Sequence, residues 1–304
     1  MSRTRTVWLS WSLGIAGLMI PLLLYSIAQG LRPLRTPAAA RLFAGITYER
    51  EIAEQPWPQV IHIVTIDLDE AGVDVLVSPG TAAAVEGEPA EFETIALTTS
   101  DFLAQNDLDL AINANFFAPF SETTPWNFYP GPGDETRVLG TAISNGEAYS
   151  LPESAWPALC FGPDNRAQIA PEGTCPDGTQ QAIASKQQLV SAGAPVPIQE
   201  KDTPYARVMA AVNARGDRLW LVIVDGKQPG YSVGATLAQL TEIALRLEAA
   251  AAINLDGGGS TTLVINTPTG PRTLNAPIHT KLPMRQRPVA NHLGFRAPSG
   301  EPDL

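Results

Sequence analysis

Leu219-Trp220-Leu221-Val222-Ile223-Val224 is apolar at all six positions, and this run constrains the fold more than any other segment. A short stretch of aliphatic and aromatic side chains without polar alternation is a strand buried on both faces. Its neighbours fit that reading. Arg207 to Val212 predicts a preceding strand, joined by a turn at Ala214 to Asp217, and Asp225-Gly226 ends the apolar run. Thr236 with Gln239 three residues later forms a capping box. The helix it opens presents Leu237, Leu240, Ala244 and Leu247 on one face. Ala251 to Leu255 then reads as a strand, Asp256 to Ser260 as a turn, and Thr261 to Ile265 as another strand.

The first half is less regular. Residues 31–58, rich in Pro, Ala and Arg, read as a linker into a domain spanning 59–298, with a short tail at 299–304. Val60 to Leu68 and Val73 to Val77 alternate around Gly72 and predict a β-hairpin. His62 lies inside its first strand, where a lone histidine is a structural residue more often than a catalytic one. Thr99 or Ser100 caps a short helix running through Asn106. Leu108 to Ile112 predicts a strand leading into Asn113-Ala114-Asn115-Phe116-Phe117. Residues 118–136 lack periodicity and read as a long loop, a feature usually tied to function. Short strands follow up to Val196, with a turn at Asn145-Gly146. Strands with only a few packing helices predict an α+β, or mixed α/β, fold with mixed sheets.

The 304 residues, 44% hydrophobic and 17% charged, suit one large globular domain or two small ones. A formal net charge of −11 repels the phosphate backbone and argues against a nucleic-acid partner. A local basic pocket on such a surface remains compatible with a phosphate-bearing substrate, and Arg207, Arg285 and Arg287 are candidates for it. Residues 1–30 carry Arg3 and Arg5 before an uncharged apolar run from about Val7 to Ala28. That length suits a membrane anchor. Small residues at Ser26 and Ala28 equally suit a signal peptide cleaved after Ala28. Either reading places the remaining chain outside the cytoplasm, with a membrane contact if the segment is uncleaved. Cys160 and Cys175 flank a Gly-, Pro- and Asp-rich stretch and are expected to be bridged, as suits an oxidising compartment.

Ile253-Asn254-Leu255-Asp256-Gly257-Gly258-Gly259-Ser260-Thr261-Thr262 is the sharpest chemical feature. Three successive glycines cost backbone entropy and allow close backbone approach, with N–H groups free to face an anion. Asp256 adds a proton-transfer group, and Ser260 and Thr261 add hydroxyls. Asp225 is a second strand-end carboxylate, and glycoside cleavage generally uses two. A phosphodiester leaving group is already acidic, so its charge needs Arg and backbone N–H groups more than a proton. Asn113 and Asn115, ahead of two aromatics, suit sugar hydroxyls and an apolar wall.

The ordered set of Arg207, Asp225-Gly226-Lys227, Asn254-Leu255-Asp256-Gly257-Gly258-Gly259-Ser260 and Arg287-Pro288-Val289-Ala290-Asn291 resembles the phosphodiester glycosidase family. The resemblance is strongest over about residues 205–296 and reaches more loosely back to Asn113. The family there has an Asn-Gly-Gly-Phe-Phe-like run, so Ala114 would be strained if the first glycine takes a positive φ. The resemblance implies a pocket made of the Asp256 loop, Asn113, Arg207, Asp225 and the Arg287/Asn291 segment. Within it Asp256 is expected to lead catalysis, with Asp225 as partner or orienter. Arg207 and Arg287 are expected to hold the phosphate, with Gly257 to Ser260 donating N–H groups to it. A divalent cation fits clustered Asp and Asn oxygens, but nothing in the sequence requires a cofactor. Two other readings stay open: a binding module for phosphorylated envelope glycans, and a metal-dependent phosphodiesterase that breaks the P–O bond.

Overall fold

A computed structural model describes residues 19–20, 22–81, 91–198 and 202–298. Most of the N-terminal apolar run and the tail at 299–304 lie outside the described residues. Among those described, no helix is long and apolar enough to cross a membrane.

The apolar run does form a central strand, Arg218–Val224, in an eight-stranded sheet. It lies between Gln59–Asp67 and Arg207–Val212 and is antiparallel to both. Leu219, Leu221 and Ile223 face one core, and Val222 and Val224 face another. Period-two alternation thus feeds two apolar layers, which is why no polar residue appears. The second layer is covered by helix Leu237–Arg246, opened by the expected Thr236–Gln239 capping box. On the first layer sits a five-stranded sheet containing Leu110–Asn113, Leu263–Ile265, His292–Arg296 and Asp74–Val77. Another five-stranded sheet, containing Ala158–Phe161 and Gln181–Ala184, packs into the same core. Phe102 and Leu103 of helix Thr99–Gln105 close the outer face of the sheet that holds Leu110–Asn113. The architecture is therefore α+β, with helices outside stacked sheets.

Four expectations need correction. The sheets are not mixed, because every strand pairing among the described residues is antiparallel. The segment read as a linker carries strands Ala38–Phe43 and Ile46–Ala53, the latter paired along its length with Gln59–Asp67. Ile46 and Tyr48 point inward and Thr47 and Glu49 outward, an alternation diluted by the surrounding Pro and Arg. The strands on either side of Gly72 do not pair with each other. Gln59–Asp67 belongs to the large sheet and Asp74–Val77 pairs with His292–Arg296, so the turn carries the chain from one layer to the next. The first helix is capped by Thr98, one residue earlier than expected.

Cys160 and Cys175 are disulfide-bonded, 15 residues apart. Closing that loop restricts the unfolded chain, so reduction should lower stability by about 3 kcal/mol on a chain-entropy argument. Urea unfolding with and without reductant measures this, and coincident midpoints would refute it.

Candidate active site

The bend after Ala251–Leu255 leaves the large sheet and enters Leu263–Ile265 of the facing sheet. Its position follows from that crossing. Asn113, at the end of Leu110–Asn113, holds both of its ends: Nδ2 donates to the Asp256 carbonyl at 2.7 Å, and Oδ1 accepts from Thr262 N at 3.0 Å. Asp256 N donates to Ala114 O at 3.0 Å. Ala114 is not among the left-handed residues, so alanine is accommodated there without strain.

The glycines answer to close approach. Gly258 has φ +63°, and a Cβ there would meet the Tyr205 ring. A Cβ on Gly257 would stand 2.5 Å from the Ala206 carbonyl oxygen, and one on Gly259 would strike the Arg287 guanidinium. Backbone cannot step aside as a side-chain tip can. Gly257→Ala should therefore cost roughly 2–3 kcal/mol, read as a lower melting temperature; an unchanged one would contradict the packing argument.

The N–H groups are arranged differently from expectation. Gly257 N donates to Asp256 Oδ1 at 2.9 Å, Gly258 N to Ala206 O at 2.8 Å, and Ser260 N to Gly257 O at 3.2 Å. Gly257 N thus meets the bend's own carboxylate, and the Gly258 and Ser260 donors are taken up by backbone carbonyls.

Asp256 is partly buried, and burial raises its carboxyl to about 6 against the opposing effects of Ser260, Arg287 and Gly257 N–H. Arg287 is 8% exposed and donates from Nη1 to Ser260 Oγ at 3.2 Å. Its Nε donates to His279 Nδ1 at 3.3 Å and its Nη2 to Glu122 Oε2 at 2.9 Å, while its guanidinium lies 4.4 Å from the Phe120 ring centre. His279 is held down to about 4 by burial and by the positive charges of Arg287, Arg285 and Lys227, with Glu122 opposing. Glu122, Phe120 and His279 were not singled out from sequence. Glu122 belongs to hairpin Ser121–Thr124/Asn127–Tyr129, inside the stretch read as a structureless loop. The only sequence hint was the functional character of that stretch.

Asp225 stands behind the bend. It is 1% exposed, and both oxygens are engaged: Oδ1 by Asn275 Nδ2 at 3.1 Å and Ala276 N at 2.9 Å, Oδ2 by His62 Nε2 at 3.0 Å. Asn275 also donates to Thr261 O at 3.0 Å and accepts from Leu263 N at 2.8 Å. His62 Nδ1 meets Tyr48 OH at 2.8 Å, and burial pushes that phenol up to about 12, so it remains a donor. Asp225 thus anchors the exit of the bend.

Other predicted residues lie elsewhere. Asn115 and Asn291 bond each other, with Asn291 Oδ1 accepting from Asn115 N at 2.9 Å, and both are buried. Asn115 also bonds the carbonyls of Leu139 and Thr141 and the N–H of Ala184, tying strands together. Their amides, expected to meet sugar hydroxyls, are thus engaged within the protein. Arg207 directs Nε to Ala235 O and Nη2 to Thr203 O, both at 3.2 Å, with its guanidinium 5.7 Å from the Tyr205 ring centre. Tyr205 in turn abuts Gly258. Asn254 alternates with core residues Ile253 and Leu255, so its side chain lies on the helix-side face of the strand. Asn254 Oδ1, Thr261 Oγ1, Thr262 Oγ1 and His279 Nε2 are buried with no hydrogen-bond partner, a concentration of orphan polar atoms around the bend. Among the described residues, no three His, Cys, Asp or Glu side chains gather as a metal-ligand set.

Fold and site define a class: stacked antiparallel sheets joined by a glycine bend that holds a carboxyl beside a buried guanidinium. The family model for phosphodiester glycosidase matches residues 106–296. The chain belongs to the phosphodiester glycosidase family. A search of curated proteins found no match. Among solved structures, it is similar to the zebrafish N-acetylglucosamine-1-phosphodiester alpha-N-acetylglucosaminidase catalytic domain, auto-inhibited by pro-peptide. That likeness has a TM-score of 0.59 at 18% identity and covers 90% of this chain and 93% of that one. A hypothetical protein from Synechocystis is similar with TM-score 0.57 and 14% identity, over 86% of this chain and 64% of that one. The chain therefore spans under two thirds of the Synechocystis protein's length. At these identities the likenesses establish the fold.

Proposed function

We propose that this chain is an exported hydrolase that cleaves the glycosidic bond of a sugar-1-phosphodiester and releases the sugar. One observation carries the reading: a carboxyl raised to about 6 stands on the bend with Ser260 and the buried Arg287 beside it. A phosphodiester anion departs without strong protonation, so the ionised Asp256 serves as nucleophile or base. Arg287 balances the departing charge. Asp225 is a positioning residue, acting through Asn275. Arg207 adds positive charge from beyond Tyr205. The name of the zebrafish relative, an N-acetylglucosaminidase of 1-phosphodiesters, agrees with this substrate class.

Export is supported by the disulfide, which persists in oxidising compartments, and by the apolar N-terminal run. That run serves as signal or anchor, and the acidic surface disfavours nucleic acid. The reading assigns no metal. The test is product analysis of the full chain on a panel of sugar phosphodiesters, with and without chelator. Free reducing sugar in both arms is the expected result. A sugar 1-phosphate would establish phosphodiesterase chemistry, chelator sensitivity would require a cation, and absence of products together with glycan binding would establish a binding module.

A further inference from the structure

The N-terminal segment is fastened to the domain close to the candidate site. After the helical residues 22–30, Arg32 Nη1 donates to Gln228 Oε1 at 3.3 Å, and its guanidinium lies 4.6 Å from the Tyr231 ring centre. Tyr231 OH donates to Pro33 O at 3.0 Å. Met284 packs on the same cluster of Val60, Tyr231 and Ala276. Its neighbour Arg285 donates to Pro125 O at 2.7 Å and lies 4.6 Å from the Phe128 ring centre, which fastens hairpin Ser121–Thr124/Asn127–Tyr129. One strip of neighbouring residues therefore joins the root of the N-terminal run to that hairpin. Through Phe120 and Glu122 it continues to Arg287, beside the glycine bend.

The strip differs in character from the rest of an acidic surface. Trp126, at the hairpin tip, is 88% exposed, and Phe120, Leu31 and Leu34 are exposed as well. Arg32, Lys227, Lys281 and Arg285 stand along it, on a chain of net charge −11. Lys281 is exposed at the turn between Ile278–His279 and Leu282–Pro283, next to Thr280, whose Oγ1 accepts from Arg285 at 2.9 Å. An indole among aliphatic and basic side chains suits a membrane–water interface, where the ring settles at headgroup level and cations meet anionic lipid. The strip also begins at the root of the uncharged run from about Val7 to Ala28, whose length suits a bilayer. A single indole at a tip enters a fluid interface readily, whereas a stable protein contact needs about 800 Å² per partner.

We propose that the N-terminal run stays in the bilayer as an anchor and that the Trp126 hairpin docks on the same leaflet. The mouth beside Phe120 then lies at headgroup level, and its substrates are sugar phosphodiesters carried by lipid. The docking stands on the strip alone; the substrate clause rests on the proposed glycosidase reading. The full chain is reconstituted in vesicles of equimolar phosphatidylcholine and phosphatidylglycerol, with plain or brominated acyl chains, since bromine quenches indoles that enter the bilayer. Trp8 and Trp11 belong to the N-terminal run, so the Trp126 signal is taken as the difference between the parent and Trp126→Phe, both checked by melting curves. That signal should fall at least about twofold in brominated vesicles. An equal signal in both kinds of vesicle overturns the docking. Trp126→Ser should lose about tenfold in sugar release from a lipid-linked phosphodiester in these vesicles and keep its rate on a short-chain soluble one. Equal rates of parent and variant on the lipid-linked compound overturn the substrate clause. Quenching without sugar release from either compound would leave the docking standing and remove the glycosidase reading. Sugar release without quenching would do the reverse.

Discussion

Asp256→Asn is expected to lower kcat for sugar release by about a thousandfold while leaving the protein folded. The amide is isosteric and its Oδ1 can still accept from Gly257 N, so the bend keeps its shape. The same substitution should stabilise the protein at pH 7. Burial raises the folded carboxyl from 3.8 to about 6, so between those values the folded protein holds a proton that the unfolded chain has released. Stability is therefore full below about pH 4 and falls as pH rises through about 6. Holding the carboxyl up at about 6 corresponds to a cost on the order of 3 kcal/mol above that pH. Asparagine has no such proton, so its advantage should vanish at pH 4. In the active enzyme kcat/KM should rise through about pH 6, because the ionised form acts. Turnover at the parental rate in Asp256→Asn removes the catalytic assignment. A descending limb near pH 6 would make the group an acid instead.

Asp225→Ala is expected to be the most damaging substitution for stability. It deletes the acceptor for His62, Asn275 and Ala276 N, all within a buried network. Removing one member of such a set leaves polar groups unpaired and costs about 3–5 kcal/mol. For a chain of this size that lowers Tm by on the order of 10 °C. Because Asn275 also fixes Thr261 O and Leu263 N, the exit of the glycine bend should loosen. Asp225→Asn keeps the shape and one acceptor, and should retain a measurable part of the activity that Asp256→Asn loses. If Asp225→Asn instead lost activity as fully as Asp256→Asn with an unchanged Tm, Asp225 would belong to the reacting groups.

Legibility tracked the range of the interaction. Strands Arg207–Val212 and Ala251–Leu255 and the cap at Thr236 are visible in sequence because each depends on residues within about ten positions of itself. Pairing was harder. Gln59–Asp67 and Asp74–Val77 alternate as hairpin arms do, yet they lie in different layers, and alternation alone does not say which strand is the partner. Ile46–Ala53 was hidden because Glu49, Arg50 and Glu51 follow one another in it, which reads as solvated linker.

The same division runs through the site. Asp256, the need for three glycines and the pairing of Cys160 with Cys175 were determined by the sequence, since each is a property of a short segment or of two residues in one loop. Only the tertiary structure decided that Asp225 faces inward, that Asn115 and Asn291 tie strands together, and that Glu122 and His279 stand at Arg287. The reason is physical. A side chain's chemistry is written in its identity, but the groups it meets depend on how the two layers stack. Contacts such as that of Glu122 with Arg287, 165 residues apart, exist only once that stacking has formed.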